Sequence, residues 1–584
     1  MKPSNESVVA MLRQLVAYTQ LEDGQSQSFR TRAYEKAIDA IVGTSGEVAD
    51  MSPSELKAIP GVGDSTAQKI HEYVQKGSVS KVDRLKERFP ATMLELMKIP
   101  GLGPKTVLAL QEQLNVVDVA GLEQAIESES LRSLPGLGKK SEEKIALSIK
   151  LLGIHSEETR TPIFDAMRVA KRVINDLQRT DAVDQIAYAG SLRRLSETIG
   201  DIDILVTSSS QADVISAFTS LRGVTAVLAS GSTKASVVID DGIQVDLRVV
   251  AEEEFGAALM YFTGSKGHNI ELRQRALDRR LTLNEYSLSE IDRGAVVAAR
   301  TEQAIYAVLE LPWITPELRE GVGEVAAAED GLLPKPVTAS MLKGDLHVHT
   351  DWSGDGRSTL DEMLAATVER GHEYVAITDH AENLAISGLS RERVLEERDA
   401  IAEARKRYPE LTILHGAELN IAPDGSVDYD AEFLELFEFT VASIHTYFDL
   451  SNEAQTKRLV AAIANPAVNV IGHPSGRKIG SRPGVRFDIE AVAQAAASHG
   501  TALEINCHLQ RLDLSATNLR KAMAVEGVMF AVSTDAHHTS EFANVEWGMA
   551  QARKGGVPIS RILNSLPKSE FTAWIGKNGS TSAR

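Results

Sequence analysis

The sequence has a single cysteine, Cys507, so no disulfide within the chain is available to it. No stretch approaches the roughly 18 uninterrupted apolar residues that would cross a bilayer. The opening MKPSNESVVAMLRQ lacks the basic start, apolar core and cleavage site of a secretory leader. Together these absences predict a folded protein of the reducing cytoplasm. An excess of positive charge is missing too: 62 basic side chains face 81 acidic ones, a net charge of −19, which argues against attraction of nucleic acid by the whole chain. The deficit is uneven, because residues 1–150 carry 19 basic and 20 acidic groups, residues 151–340 carry 19 and 28, and residues 341–584 carry 24 and 33. The acidic excess therefore lies downstream, where carboxylates suit divalent cations. At about 150 residues per domain, 584 residues allow about four domains.

Three early segments share one pattern: IPGVGDSTAQKI from Ile59, IPGLGPKTVLAL from Ile99 and LPGLGKKSEEKI from Leu134. Their first glycines are 40 and 35 residues apart, too irregular for a stacked array. Each copy reads as a helix end, a Gly-x-Gly turn and an amphipathic helix. Such a turn presents unpaired backbone N–H groups at a helix N-terminus, which suits a phosphate. The pattern resembles the helix-hairpin-helix module, and that resemblance implies contact with the DNA backbone at Gly61, Gly63, Gly101, Gly103, Gly136 and Gly138.

Between about 186 and 290, β-branched runs (IDILVT, SVVID, IQVDLRVV) predict a small mixed sheet with helices. The polar, acidic stretch at 316–340 reads as a linker. Beyond it, strand-like runs alternate with helical ones, with polar landmarks His347, His380, Glu418, His445, His473, Glu504 and Asp535 at intervals of 27 to 38 residues. Seven strand-helix units predict a distorted (β/α)7 barrel with its chemistry at the C-terminal strand ends. Eleven of the fourteen histidines fall in this segment.

In YAGSLRRLSETIGDIDILV, residues 188–206, strand alternation puts Asp201 and Asp203 on one face, and Asp246 lies on another strand able to pair beside it. Three converging carboxylates can hold two divalent cations for phosphoryl transfer. With Gly-Ser-x-Arg-Arg upstream, and YFTGSKGHNIELR and LNEYSL downstream, residues 5–312 resemble an X-family DNA polymerase of the nucleotidyltransferase superfamily. The resemblance implies that Asp201, Asp203 and Asp246 hold two Mg²⁺ or Mn²⁺ ions. It implies that Arg160, Ser191, Arg194 and Gly200 hold a deoxynucleoside triphosphate, that Tyr261, Phe262, Gly264 and Asn269 contact its sugar and base, and that Arg273 faces the template. It further implies that Arg30 and Tyr34 touch the 5′ side of a gap. Lys69 matches a Schiff-base lysine of family members with lyase activity; against that activity stand Lys144 at the equivalent place in the third hairpin and Ser65 at the accessory basic position.

The second half resembles the PHP (polymerase and histidinol phosphatase) domain, and the two halves together resemble bacterial X-family polymerases with that domain at the C-terminus. The resemblance implies a metal cluster of up to three ions, Mn²⁺, Zn²⁺ or Fe²⁺, on His347, His349, Asp355, His380, Glu418, His445, His473, Asp535 and His537. An extra residue in Ser353-Gly354-Asp355-Gly356 makes Asp351 the alternative to Asp355. Arg477 is assigned to the substrate phosphate.

The expected organisation is a gap-binding domain at 1–85, a fingers-like domain at 86–155, a catalytic palm at 156–250, a thumb at 251–315, the linker, and a phosphoesterase domain at 341–575. The expected protein is a monomer that extends primers on gapped DNA and removes nucleotides 3′ to 5′. Two rivals stand beside it: a phosphoesterase whose first half only binds DNA, and an inert DNA-end scaffold.

Overall fold

The computed structural model describes residues 3, 5–25, 28–42, 48–59, 61–97, 99, 102–134, 136–139, 141–142, 145–146, 160–240, 242–384 and 387–579. They form two compact units: residues 1–159 with 225–228 and 238–242, and the remainder from 160 onward.

The first unit is helical. Helices Asn5–Asp23, Phe29–Val42, Pro53–Ala58, Asp64–Lys76, Ser80–Arg88, Ala91–Leu96, Pro104–Leu114 and Val119–Glu127 close over one core that includes Leu12, Leu56, Ile70, Leu85, Val107 and Leu122. Ser52 and Glu55 form a reciprocal cap on Pro53–Ala58, satisfying amide groups that the helix start leaves open. In the repeated turns the two glycines do different work. Gly61 (φ 101°) and Gly136 (φ 85°) take left-handed geometry that a side chain would strain, whereas Gly63 and Gly103 sit at the N-caps of the following helices. Gly101 and Lys144 lie outside the described residues.

The second unit opens with a palm. Helix Ile163–Gln178 packs against strands β1 (Gln185–Tyr188) and β2 (Ile202–Thr207), whose sheet also contains β3 (Val224–Ser230), β4 (Lys234–Ile239) and β5 (Ile243–Val250), in the order β1-β2-β5-β4-β3. β1 runs antiparallel and β5 parallel to β2, so the sheet is mixed, as expected. A thumb follows, with helices Phe255–Thr263, Lys266–Asp278 and Glu302–Val308 and a three-stranded sheet over Leu281–Ala298.

The expected linker is a correction. Residues 316–329 are part of the thumb: Pro316–Leu318 and Glu324–Glu329 are helical, and Ile314, Val325 and Ala328 join the core of Leu272, Tyr306 and Leu309. The polar residues that suggested exposure are buried as charge partners. Arg319 is fully buried, donates to Glu302 (2.6 and 3.1 Å) and to Ile314 O (2.9 Å), and Glu302 also accepts from Arg193 (2.7 and 2.9 Å). Glu324 pairs with buried His268 at 2.7 Å.

The barrel has seven parallel strands in sequential order: β6 (Gly344–Val348), β7 (Tyr374–Ile377), β8 (Thr412–Asn420), β9 (Phe439–Ser443), β10 (Val470–Gly472), β11 (Ala502–Asn506) and β12 (Phe530–Ser533). It closes from β12 to β6 through Asp535 N–H to His347 O (3.0 Å) and His349 N–H to Ala536 O (2.9 Å). Every residue of β6, β7, β9, β11 and β12 is buried, as expected of parallel strands covered on both faces. Among the described residues, no helix is long and apolar enough to cross a membrane.

Candidate active sites

In the palm, Asp203 on β2 stands directly opposite Asp246 on β5, and Asp201 lies immediately before the start of β2, near enough for the charge of Asp246 to act on it. Desolvation, then the charges of Asp201 and Asp246, push the Asp203 carboxyl up to about 7; desolvation and Asp246 raise Asp201 as well. Crowded acids of this kind need a compensating charge, and a divalent cation is the natural one. Gly190 (φ 62°) turns the chain over this site, and a Cβ there would collide with the Asp203 carboxylate.

The other nucleotide-site candidates gather around that turn. Arg160 donates to Thr198 Oγ1 (2.9 Å) and O (2.7 Å), and a Cβ on Gly200 would lie 3.6 Å from its Nη1. Arg194 donates to Thr263 O at 2.5 Å, with Gly264 beside its guanidinium. Ser191 O accepts from Ser196 N–H at 3.0 Å within the turn. Tyr261 and Phe262 meet edge to face at 5.1 Å; Arg273 covers the first ring and Arg248 the second, while Asn269 donates to Tyr261 O at 2.8 Å. Sequence reasoning missed Ser236 and Gln244, which both donate to Asp246 Oδ1. Their positions on β4 and β5 were visible, but the order of those strands was not.

In the helical unit, Arg30 is spent on Glu22 (2.9 Å) and Asp23, and Tyr34 is buried beneath the ammonium groups of Lys69 (5.7 Å) and Lys81 (5.9 Å). Burial, then Lys81, lowers the Lys69 pKa, while its Nζ donates to Ser65 Oγ at 2.6 Å.

The barrel strand ends bring the nine candidate ligands together. Glu418 lies at the centre: Oε2 is 2.8 Å from His380 Nδ1, 3.5 Å from His347 Nε2 and 3.6 Å from His349 Nε2, and Oε1 is 2.9 Å from His473 and 3.2 Å from His445. Asp535 Oδ1 is 3.3 Å from His349 Nε2 and 3.6 Å from His347 Nε2. Asp355 Oδ2 is 3.2 Å from His380 Nε2 and 3.5 Å from His537 Nε2, so Asp355 rather than Asp351 enters the cluster. Three overlapping groups have metal-holding spacing: His349, His380 and His537; His347, His349 and Glu418; His380, Glu418 and His445.

A metal fits these donors. Both Glu418 oxygens and the Nε2 atoms of His347 and His349 are buried without a hydrogen-bond partner among the described residues, and such orphans are costly unless an ion takes them. Burial, with neighbouring His537 and His380, presses His349 down to about 4; burial and Arg511 press His473 to about 3, so both rings are neutral at pH 7, the form in which imidazole can take a metal. Burial opposes ionisation of Glu418, but His445, His347 and His380 outweigh it and hold its pKa well below the usual range. Supporting bonds orient the ring: His347 Nδ1 meets Glu504 (2.7 Å) and His445 Nδ1 meets Asn420 (2.7 Å). His473 (φ 26°) and Asp535 (φ 53°) both take left-handed backbone geometry that residues with a side chain rarely adopt.

Arg477 has no nitrogen left for a substrate: Nε donates to Arg511 O (2.7 Å), Nη1 to Glu197 (2.8 Å) and Nη2 to Leu512 O. Arg511, which drew no attention in the sequence, lies 3.5 Å from Asp535, and its Nη1 has no partner among the described residues.

Residues 3–79 match a helix-hairpin-helix domain, 93–151 a SAM-like helix-hairpin-helix tandem, 258–320 the DNA polymerase beta thumb and 345–508 the PHP domain. The chain is 34% identical to the DNA polymerase/3′-5′ exonuclease PolX of Bacillus subtilis (strain 168), over 98% of this chain and 99% of that protein. A probable phosphatase of Syntrophotalea carbinolica is 31% identical over 38% of this chain and 93% of its own length, and one of Caldicellulosiruptor saccharolyticus is 30% identical over 41% and 99%. With similarity along its whole length and both halves matched separately, the chain belongs to the X-family DNA polymerases that carry a C-terminal PHP domain.

Proposed function

We propose that this chain is a DNA-directed DNA polymerase for short-gap repair with a 3′-to-5′ exonuclease in its barrel, the two activities in the name of the Bacillus subtilis relative. The observation that carries the reading is the presence of two complete and chemically different donor sets, the Asp203–Asp246 pairing with Asp201 in the palm and the Glu418-centred cluster in the barrel. Divalent ions supply Lewis acidity at both sites: two Mg²⁺ or Mn²⁺ in the palm, and up to three Mn²⁺, Zn²⁺ or Fe²⁺ in the barrel.

Asp201, Asp203 and Asp246 hold the palm ions and bring a primer 3′-hydroxyl into line with the triphosphate. Arg160, Ser191, Arg194 and Gly200 hold that triphosphate, and Tyr261, Phe262, Gly264, Asn269 and Arg273 shape the space around the new base pair. The turns at Gly61, Gly63, Gly103, Gly136 and Gly138, with Lys69, follow the DNA backbone, as does Gly101. In the barrel, the histidines and carboxylates named above hold the ions, and Arg511 takes the phosphate-gripping role, because its free Nη1 contrasts with the fully engaged Arg477. The protein acts as a cytoplasmic monomer.

The test is a one-nucleotide gapped duplex with a labelled primer and Mn²⁺, with and without deoxynucleotides. Asp201→Ala should lose extension alone and His349→Ala shortening alone. Shortening without extension by the wild type would leave a phosphoesterase with a DNA-binding first half.

A further inference from the structure

The turn that joins β1 to β2 takes part of its support from the barrel domain. Gly190 (φ 62°) and Leu195 (φ 54°) both lie in the left-handed region, and leucine reaches it only when the surroundings insist. The helix between them, Gly190–Arg193, is four residues long, and the turn closes with Leu195 N–H to Leu192 O (3.1 Å) and Ser196 N–H to Ser191 O (3.0 Å). The carbonyls of Arg194 and Leu195 find their partner elsewhere. Both accept from Lys554 Nζ at 3.0 Å, and Lys554 belongs to the barrel-domain helix Val545–Gly555. The third acceptor on that ammonium is Glu320 Oε1 (3.1 Å), whose Oε2 lies 3.6 Å from Arg194 Nε. Three donors meet three acceptors, and the Lys554 side chain is only 16% exposed.

A second barrel-domain cation holds the far end of the same segment: Arg477 Nη1 donates to Glu197 at 2.8 Å, while its other nitrogens bind the carbonyls of Arg511 and Leu512. Beside it, Phe164 stacks on His508 at 5.8 Å. The barrel domain therefore grips residues 194–197 on both sides through directed bonds.

We propose that Lys554 is a positioning residue for the polymerase reaction: the PHP domain, through this ammonium, fixes the turn that presents Ser191 and Arg194 to an incoming deoxynucleoside triphosphate. The proposal rests on the assignment of those two residues to the triphosphate. Removal of the ammonium frees two carbonyls and Glu320, and Glu320 is then left to compete with the triphosphate for Arg194. Nucleotide affinity falls, while the metal ligands of the barrel are untouched.

The experiment is steady-state extension of a gapped primer by the full chain as Lys554→Met, Lys554→Arg and Arg194→Ala, with shortening without nucleotides measured in parallel. Lys554→Met should raise the deoxynucleotide KM roughly tenfold, the value of a lost charge-assisted bond network, with kcat and shortening unchanged. Lys554→Arg should restore most of the affinity. An unchanged KM in Lys554→Met beside a raised KM in Arg194→Ala overturns the proposal alone; an unchanged KM in Arg194→Ala overturns the triphosphate assignment beneath it. If Lys554→Met fails to fold, Lys554→Gln is measured in its place. Loss of extension, shortening and thermal stability together, with no rise in KM in the remaining active fraction, would reduce Lys554 to a structural tie.

Discussion

The palm and the barrel solve one problem, holding divalent ions against phosphate, with opposite materials. The palm uses three carboxylates on two neighbouring strands, crowded enough that Asp203 is lifted to about 7, so its site is unsettled until cations arrive. The barrel brings together six histidines and three carboxylates from six of its seven strands and the loops that follow them, and its central Glu418 is 1% exposed. All-oxygen ligation suits hard, exchangeable ions that arrive with substrate, whereas mixed imidazole and carboxylate ligation in a buried site suits ions that stay. The difference predicts that one ion set belongs to the reaction cycle and the other stays with the folded protein.

The largest effect that would break this contrast concerns ion retention. Glu418 touches five histidines at once, so Glu418→Ala should remove roughly 10³-fold of the shortening activity and leave purified protein depleted of bound transition metal. Asp203→Asn should cost extension a similar factor with no change in metal content on purification. Elemental analysis of both variants, paired with the two assays, decides the matter; a palm variant that also loses tightly bound metal would erase the distinction.

How much of this was legible in the sequence follows the same divide. Residues that the chemistry of metal binding calls for could be read directly: the D-x-D pair, the H-x-H pair, and the histidines and acids just past most of the barrel runs. Asp355 was legible too, though only the fold of the 350–358 loop separates it from Asp351. Residues that matter through a partner on a distant segment could not be read. Lys554 and Arg477 reach across more than 270 residues of sequence, and Glu302 and Arg319 resemble surface charges until the thumb closes over them. The segment at 316–329 misled for that reason, since its acidic composition reports buried pairing rather than solvent.

That buried cluster sharpens the comparison at the next level. Burial alone would raise Glu302, but Arg319 and Arg193 outweigh it and bring the carboxyl down to about 2. Here guanidinium groups compensate a buried acid, the role proposed for ions in the barrel. Glu302→Gln leaves two cations unpaired and should cost about 3–5 kcal/mol. Because the folded value lies below the ordinary 4.5, that contribution is complete above pH 4.5 and disappears as pH falls through about 2. Urea unfolding across pH should show a gap between wild type and variant that closes in acid; a constant gap would mean that packing, not charge, sets the cost.

The smallest effects test whether outer partners matter equally at the two sites. Asn420 Oδ1 accepts from one ring of the cluster, His445 at Nδ1, at 2.7 Å, yet in a resident metal site the orientation of one ring governs affinity. Asn420→Ala should therefore weaken Mn²⁺ binding by roughly 10–100-fold in a metal titration. Ser236 donates to Asp246, but Gln244 Nε2 remains on the same oxygen at 3.0 Å. Ser236→Ala should lower kcat for extension only about fivefold, the value of one hydrogen bond. Equal losses in the two variants would mean that the palm ions are as firmly resident as those of the barrel, and the contrast between the two sites would then rest on ligand type alone.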